Sequence, residues 1–187
     1  MEEEKKFEES PTRKASSTAA AAVKESKKKV ICFYRERDEW GEFSNFLIAP
    51  IQIDGKLWPS TEHYFQAMKF PTRPDYQEKI RTTKSCTTIK KMGQDPDGFR
   101  PDWAEVKDNV MFECLKVKFS RDHHPELFEK LLATGNAMIV EHTRNDKYWG
   151  DGGDGGTGEK GKNMLGKLLV RVRDEVLKPS LNKAIKK

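Results

Sequence analysis

The hydrophobic positions of this chain follow two periods, which predict two kinds of secondary structure. The apolar run Val30–Tyr34 and the short segment Met138–Glu141 each predict a strand. Apolar and polar residues alternate over Ile51–Trp58 on both sides of Asp54-Gly55, a pair that is typical of two-residue hairpin turns. We therefore expect a few short strands, one pair of which forms a hairpin.

Helical periodicity covers most of the remaining chain. Residues 75–92 predict one or two helical segments, and apolar residues recur at helical spacing over Asp102–Phe119. Another helix is expected over Pro125–Gly135, and Asn163 is predicted to cap a last one. Helices dominate without a βαβα order, so we predict an α+β fold, a helix-rich single domain with a small antiparallel sheet.

One predicted helix carries polar side chains in an unusual arrangement. It begins after Ser60, its predicted N-cap, and places Glu62, Gln66 and Lys69 at i, i+4 and i+7, along one stripe. Glu62 lies in the first turn, where the helix dipole favours an ionised carboxylate. Lys69 would become a nucleophile if burial lowered its pKa. Periodicity alone leaves open whether this stripe is a solvated face or part of an active site.

A second unusual segment is the loop with seven glycines between Gly150 and Gly161. Its backbone N–H groups, with the following helix start, suit a phosphate, and a merely flexible loop is the alternative. Asn163 stands where a nucleotidase P-loop needs Ser or Thr, which excludes that motif. Asp151 is either a ligand contact or a turn residue. Trp103 either stacks on a base or belongs to the core.

Charge is distributed unevenly along the 187 residues, whose formal net charge is +5. Residues 1–29 hold eight Lys or Arg and six Asp or Glu with few large hydrophobes, so we expect them to be disordered. Four lysines without an acid follow Leu177, which predicts a basic tail over residues 178–187. The body, residues 30–177, is nearly neutral by difference. This argues against a basic face for binding duplexes.

The three cysteines and the rest of the composition predict a protein of a reducing compartment. The cysteines are far apart, without a CxxC pair or zinc spacing, so neither a metal nor another cofactor is expected. No apolar run approaches the roughly 20 residues that span a bilayer, and the acidic start is unlike a targeting peptide. We expect an intracellular protein, cytoplasmic or nuclear, with no obligate protein partner.

Several motifs follow one another along the chain: Phe33-Tyr34, Gly41–Phe46, Asp54-Gly55, Ser60–Ala67 with Lys69-Phe70, Trp103 with Val106-Lys107, Glu141-His142, Tyr148–Gly153, and Gly161–Asn163 with Leu165-Gly166. Taken together, in this order and at this spacing from about Val30 to Val176, they resemble the YbiA-like or NADAR family. The resemblance makes residues 30–177 the family domain and implies that the protein is an enzyme.

The implied activity is that of an N-glycosidase, a hydrolase linked to NAD and ADP-ribose metabolism. The bond that it would cleave joins a ribose anomeric carbon to the exocyclic amine of a guanine-like base. The favoured substrate is ADP-ribosylated guanine in DNA, with ADP-ribose as product ligand. A ribosylamino-pyrimidine phosphate of riboflavin synthesis is the alternative substrate. A non-catalytic ADP-ribose-binding module is the alternative from another class.

The resemblance and the chemistry of this bond suggest roles for the candidate residues. Lys69 would attack the anomeric carbon and form a Schiff base, Glu62 would hold ribose hydroxyls, and Asp151 would move protons. Trp149 or Trp103 would close over the base. The residues expected to bind substrate are Phe43, Ser44, Asn45, Gln66, Trp103, Trp149, Gly150, Gly152, Lys162 and Asn163.

Overall fold

A computed structural model describes residues 29–185, with side chains described as far as residue 181. The disordered segment predicted for residues 1–29 thus lies outside the described residues, apart from Lys29. The strands are β1 (Val30–Phe33), β2 (Ile51–Ile53), β3 (Lys56–Trp58) and β4 (Met138–Glu141). The helices are α1 (Thr61–Ala67), α2 (Pro74–Thr82), α3 (Cys86–Met92), α4 (Trp103–Lys118), α5 (Pro125–Ala133), α6 (Met164–Arg171) and α7 (Lys178–Ile185). The α+β prediction is confirmed.

The strands form two separate pairs of opposite type. β2 and β3 are antiparallel, and positive φ angles at Asp54 (51°) and Gly55 (75°) make the tight turn that the sequence predicted. β1 and β4 are parallel, with Ile31 opposite Ile139 and Phe33 opposite Glu141. The predicted antiparallel sheet is therefore only the hairpin. The second pair joins strands that are about a hundred residues apart in the chain.

Helix α1 is the centre of the molecule. All seven of its residues are buried, and it packs against α2, α3, α4 and β3. Its predicted cap is present, since the Ser60 hydroxyl accepts a hydrogen bond from the His63 backbone N–H. The His63 ring lies between the Ser60 hydroxyl (2.7 Å) and the Thr83 carbonyl (2.8 Å). His63 is thus a structural residue, and α1 is fixed in place on every side.

The last predicted helix is longer than its pattern indicated. After α6, a π-helical turn over Val172–Leu177 leads directly into α7, so the residues predicted as a basic tail are helical as far as Ile185. Asn163 occupies the N-cap position of α6 but does not cap it. Its side chain accepts from the Glu141 N–H (3.0 Å) and donates to the Ile139 carbonyl (2.8 Å), fastening β4 to α6. Among the described residues no helix has the length and apolar character to cross a membrane.

Candidate active site

The polar stripe of α1 faces an internal cavity of about 240 Å³, which we call the first chamber. Glu62, Gln66 and Lys69 all line it, so the prediction that these three residues share one face holds although α1 ends at Ala67. The other lining residues come from α1 itself and from four other parts of the chain: Phe65 of α1, and Ser44, Asn45, Phe46, Lys90, Gln94, Met111, Glu141, Asp146 and Trp149.

Two polar atoms of this chamber are buried without any protein partner. Gln66 donates from Nε2 to Glu62 Oε1 at 2.8 Å, but its own Oε1 is unpaired. Glu141 Oε2 is unpaired as well. Buried polar atoms nearly always have partners, because each unsatisfied one costs roughly 1–3 kcal/mol. Two such atoms on one chamber are what a cavity built for a polar ligand presents.

The ammonium of Lys69 lies in an aromatic enclosure. Nζ is 5.5 Å from the ring centre of Phe65, 5.6 Å from Trp103 and 6.0 Å from Phe99, and donates to the Gly93 carbonyl at 3.1 Å. Burial lowers the pKa of Lys69, while the Glu62 carboxylate opposes that effect more weakly. The direction of this pKa shift is the one expected of a nucleophilic amine.

Glu62 behaves differently from the sequence-based expectation. Its position in the first turn of α1 favours ionisation, but its carboxyl is buried, and burial raises its pKa above the ordinary value. The Gln66 hydrogen bond and the nearby Lys90 and Lys69 lower that pKa by less. Desolvation is thus the largest influence on the pKa of Glu62 and opposes ionisation of its carboxyl.

Glu141 is a site residue that the sequence analysis missed. It ends β4, and burial raises its pKa to about 7, with further contributions from Asp146 and Glu62. Its backbone is held from both sides, since its N–H donates to Asn163 and its carbonyl accepts from the Asp151 N–H. The sequence feature that could have identified Glu141 is its position as an acid directly after the apolar residues Met138–Val140.

The segment after the short 3₁₀ turn Gly41–Phe43 forms another wall of the first chamber. Ser44 and Asn45, two of the residues expected to bind substrate, line it. Phe43 does not, because its ring is fully buried against Phe33, Trp40 and Phe119 in the core.

A buried lysine supports this wall from behind. Lys118 is 0% exposed and donates to the Ser44 carbonyl at 2.7 Å. Burial lowers the pKa of Lys118 to about 7.

A second chamber, also of about 240 Å³, adjoins the first. The two share Ser44, Phe46, Lys90, Glu141 and Asp146 as lining residues. Five residues line only the second chamber: Tyr34, Arg35, Glu36, Thr143 and Asn145. Together the two chambers reach the size of a small-molecule site, typically roughly 300–1,000 Å³.

Asp151 lies outside both chambers, contrary to its predicted place beside Glu62 and Lys69. Its side chain is 0% exposed and accepts four hydrogen bonds, one from the His142 ring at 2.7 Å. The other three come from the backbone N–H groups of Thr143, Gly153 and Gly155 at 2.8–3.0 Å. These bonds leave its carboxylate saturated, so Asp151 organises the loop. The turn-residue interpretation is the one that this geometry supports.

The remaining predicted residues divide between the chamber wall and its surroundings. Trp149 lines the first chamber and packs edge-on against Phe65 at 5.3 Å. Trp103 does not line either chamber but covers Lys69 through its contact with Phe65 at 4.9 Å.

The glycines and the basic residue of the loop lie elsewhere. A Cβ on Gly150 would stand 2.9 Å from the Asp146 carbonyl, and one on Gly152 2.7 Å from the Lys160 carbonyl, so both positions require close backbone packing. Lys162 and Asn163 line a separate cavity of about 550 Å³ that shares no lining residue with either chamber. Several loop N–H groups are taken by Asp151 and Asp154, which weakens the phosphate-cradle interpretation.

Comparison with known proteins agrees with the motif pattern. A family model described as the NADAR domain matches residues 32–177. The chain belongs to the NADAR family. That match covers almost the same residues as the predicted domain, 30–177.

Individual NADAR relatives are similar over most of this chain. N-glycosidase YbiA of Escherichia coli is 48% identical over 148 residues, which cover 79% of this chain and 88% of that protein. The NMR structure of E. coli YbiA matches with a TM-score of 0.72 at 46% identity, covering 83% of this chain and 89% of the other. The chloroplastic riboflavin biosynthesis protein PYRR of Zea mays is 36% identical over 163 residues, 79% of this chain but 25% of that longer protein.

Proposed function

We propose that this protein is an N-glycosidase that hydrolyses the bond between a ribose anomeric carbon and the exocyclic amine of a guanine-like base. The enzyme class, a hydrolase of N-glycosidic bonds, follows from its similarity to N-glycosidase YbiA over most of both chains. The observation that carries the mechanism is the first chamber, in which a buried acid and a half-buried amine share one wall.

Lys69 is the proposed nucleophile. An amine attacks carbon only through its free lone pair, and burial lowers the pKa of Lys69 toward the range where the neutral form is present. The aromatic rings around Nζ disfavour hydration of the ammonium without removing its access to the chamber. Attack on the anomeric carbon displaces the base and leaves a Schiff base, which water then hydrolyses.

Glu62 is proposed to open the sugar ring and orient the sugar. A carboxyl with a raised pKa can donate a proton to the ring oxygen, and the resulting carboxylate can accept from ribose hydroxyls. Gln66 fixes the Glu62 side chain through its Nε2 hydrogen bond.

Borohydride trapping tests the covalent step. Reduction during turnover is expected to attach the sugar to Lys69 as a stable secondary amine, located by peptide mass spectrometry. Lys90 lines the same chamber and is the internal control, because an adduct there would indicate nonspecific reaction. Lys69→Met should lose the adduct and at least about 100-fold in kcat. Near-normal turnover by this variant would exclude the Schiff base and favour direct hydrolysis.

Two substrates present the proposed bond, and chromatography of the released base distinguishes them. The two candidate substrates, ADP-ribosylated guanine in DNA and a ribosylamino-pyrimidine phosphate, are assayed in parallel. The name of the Zea mays relative, a riboflavin biosynthesis protein, specifically supports the second. Release from one of them that disappears in Glu62→Ala would assign the substrate. Release from neither, with binding of ADP-ribose retained, would instead support a non-catalytic binding module.

A further inference from the structure

We propose that Glu141 is the general acid of the reaction, and that it protonates the base amine as that amine leaves the sugar. The sugar then occupies the first chamber and the base occupies the second. This inference rests on the proposed function. It assigns to Glu141 the proton transfer that Asp151 was predicted to perform.

The position of Glu141 carries this inference. Glu141 lines both chambers, whereas Glu62 and Lys69 line only the first and Asn145 only the second. A sugar held by Glu62 and Lys69 therefore has its anomeric carbon in the first chamber, and a base linked to it extends past Glu141. Glu141 stands where the two chambers meet, beside the position of the bond to be broken, and its Oε2 is buried without a hydrogen-bond partner.

The composition of the second chamber favours a base over a phosphate. Besides Glu141, which acts here in its acid form, its charged residues are two carboxylates, on Glu36 and Asp146, and two cations, on Arg35 and Lys90. A phosphate there would meet no net positive charge. A guanine-like base instead presents adjacent N–H donors, which carboxylate and amide oxygens accept. The rings of Tyr34 and Phe46 in the same walls suit its flat faces.

The proton balance of the step requires one acid besides the nucleophile. Ring opening moves the Glu62 proton to the ring oxygen and leaves a protonated imine between the base and the anomeric carbon. The Lys69 amine adds to that carbon, and the surplus proton of the adduct returns to the Glu62 carboxylate, giving a neutral adduct with two nitrogens on that carbon. The carbon–nitrogen bond to the base then breaks while Glu141 gives its proton to the leaving nitrogen. The base leaves as a neutral amine, Lys69 is a cationic Schiff base, and Glu141 is a carboxylate. Water adds to the Schiff base, its proton returns to Glu141, and the free sugar and amine separate.

Other groups around Glu141 favour its protonated form. Asp146, Glu62 and Asp151 act together with burial to raise its pKa, while Lys90 acts in the opposite sense. A general acid is most effective when its pKa lies near the working pH. Glu141 meets this condition, whereas the four hydrogen bonds to Asp151 hold that residue ionised.

The test is the pH profile of kcat for the wild type, Glu141→Gln and Glu141→Asp with whichever substrate is cleaved. Wild-type kcat should fall as the pH rises through about 7, because the acid form of Glu141 is lost. Glu141→Gln should lower kcat by about 100- to 1,000-fold with a smaller change in KM, and should abolish this decrease. Glu141→Asp should restore part of kcat together with the decrease.

Two results would overturn the inference. Wild-type activity that rises with pH through 7 would make Glu141 an ionised acceptor for the base, and Glu141→Gln with normal kcat would leave it without a chemical role. Carboxyl ¹³C NMR of the substrate-free protein is independent of turnover, with the Glu141 signal assigned by its absence from Glu141→Gln. A titration midpoint at the ordinary glutamate value would exclude the acid role. An inactive wild type would refute the proposed function, while this titration would still test Glu141.

Discussion

Gly93 offers a way to disturb the chamber without changing any residue that lines it. This glycine ends α3 with φ −67° and ψ 1°, a conformation that alanine adopts without backbone strain. A Cβ there would stand 1.6 Å from Gln66 Oε1 and 3.2 Å from Lys69 Nζ. The consequences of Gly93→Ala are therefore steric and fall directly on two proposed site residues.

The size of the effect follows from these distances. Gln66 Oε1 must retreat by roughly 1.8 Å to reach ordinary contact at 3.4 Å, and this movement pulls Nε2 away from Glu62. Displacing a catalytic arrangement by about 1 Å costs about 100-fold in rate. We expect kcat of Gly93→Ala to fall by about that factor. Overpacking should lower the free energy of unfolding by only about 1–3 kcal/mol.

The measurement pairs steady-state kinetics with urea unfolding of the same protein. Gly135→Ala is the matched control, because a Cβ there meets nothing within 4 Å while its φ of 63° makes alanine strained. It should lose about 1 kcal/mol of stability and keep its kcat. Gly93→Ala with normal kcat would show that the Gln66–Glu62 arrangement does not govern turnover.

Two further predictions concern buried charges outside the proposed chemistry. Asp151→Asn should lower the free energy of unfolding by about 2–4 kcal/mol at pH 7, because its amide cannot accept every bond that the carboxylate accepts from Thr143, Gly153 and Gly155. The pKa of Asp151 is lowered in the folded state, so the difference in free energy of unfolding between the wild type and Asp151→Asn should shrink below about pH 3.8. Urea unfolding measures this difference, and a value that stays constant with pH would contradict the prediction. From pH 7 to pH 10 the free energy of unfolding of the wild type should rise relative to that of Lys118→Met. Over this range the buried Lys118, with a pKa of about 7, has lost its proton in the folded protein, whereas Lys118 in the unfolded chain still carries it. Parallel pH dependences of the two proteins would contradict the low pKa of Lys118.

Local rules were sufficient for the features that depend on neighbouring residues. The Ser60 cap, the Asp54-Gly55 turn and the common face of Glu62 and Lys69 each follow from spacing within one element. Spacing contains no information about which distant strands pair. The parallel pairing of β1 with β4 was therefore not foreseen, and with it the arrival of Glu141 at the chamber.

Side-chain environment was the other property that the sequence could not provide. Asp151 and Phe43 belong to segments rich in candidate residues. Asp151 nevertheless accepts hydrogen bonds from the backbone of its own loop, and Phe43 packs in the core. Glu62 has the helix position of an ionised acid, but the direction of its pKa shift depends on burial by residues from several elements. Lys90 lines both chambers because α3, the helix that carries it, packs against α1.

Glu62 in α1 and Lys69, two residues beyond the end of α1, illustrate how burial favours one chemistry. Burial and mutual attraction act in opposite directions on Glu62 and Lys69, since attraction favours an ion pair and burial favours the neutral forms. Burial is the larger cause for both. An ion pair would bind a sugar but would leave Lys69 without a lone pair. Burial thus shifts the pKa values of an acid and an amine on one wall toward the neutral forms that the proposed Schiff-base step requires.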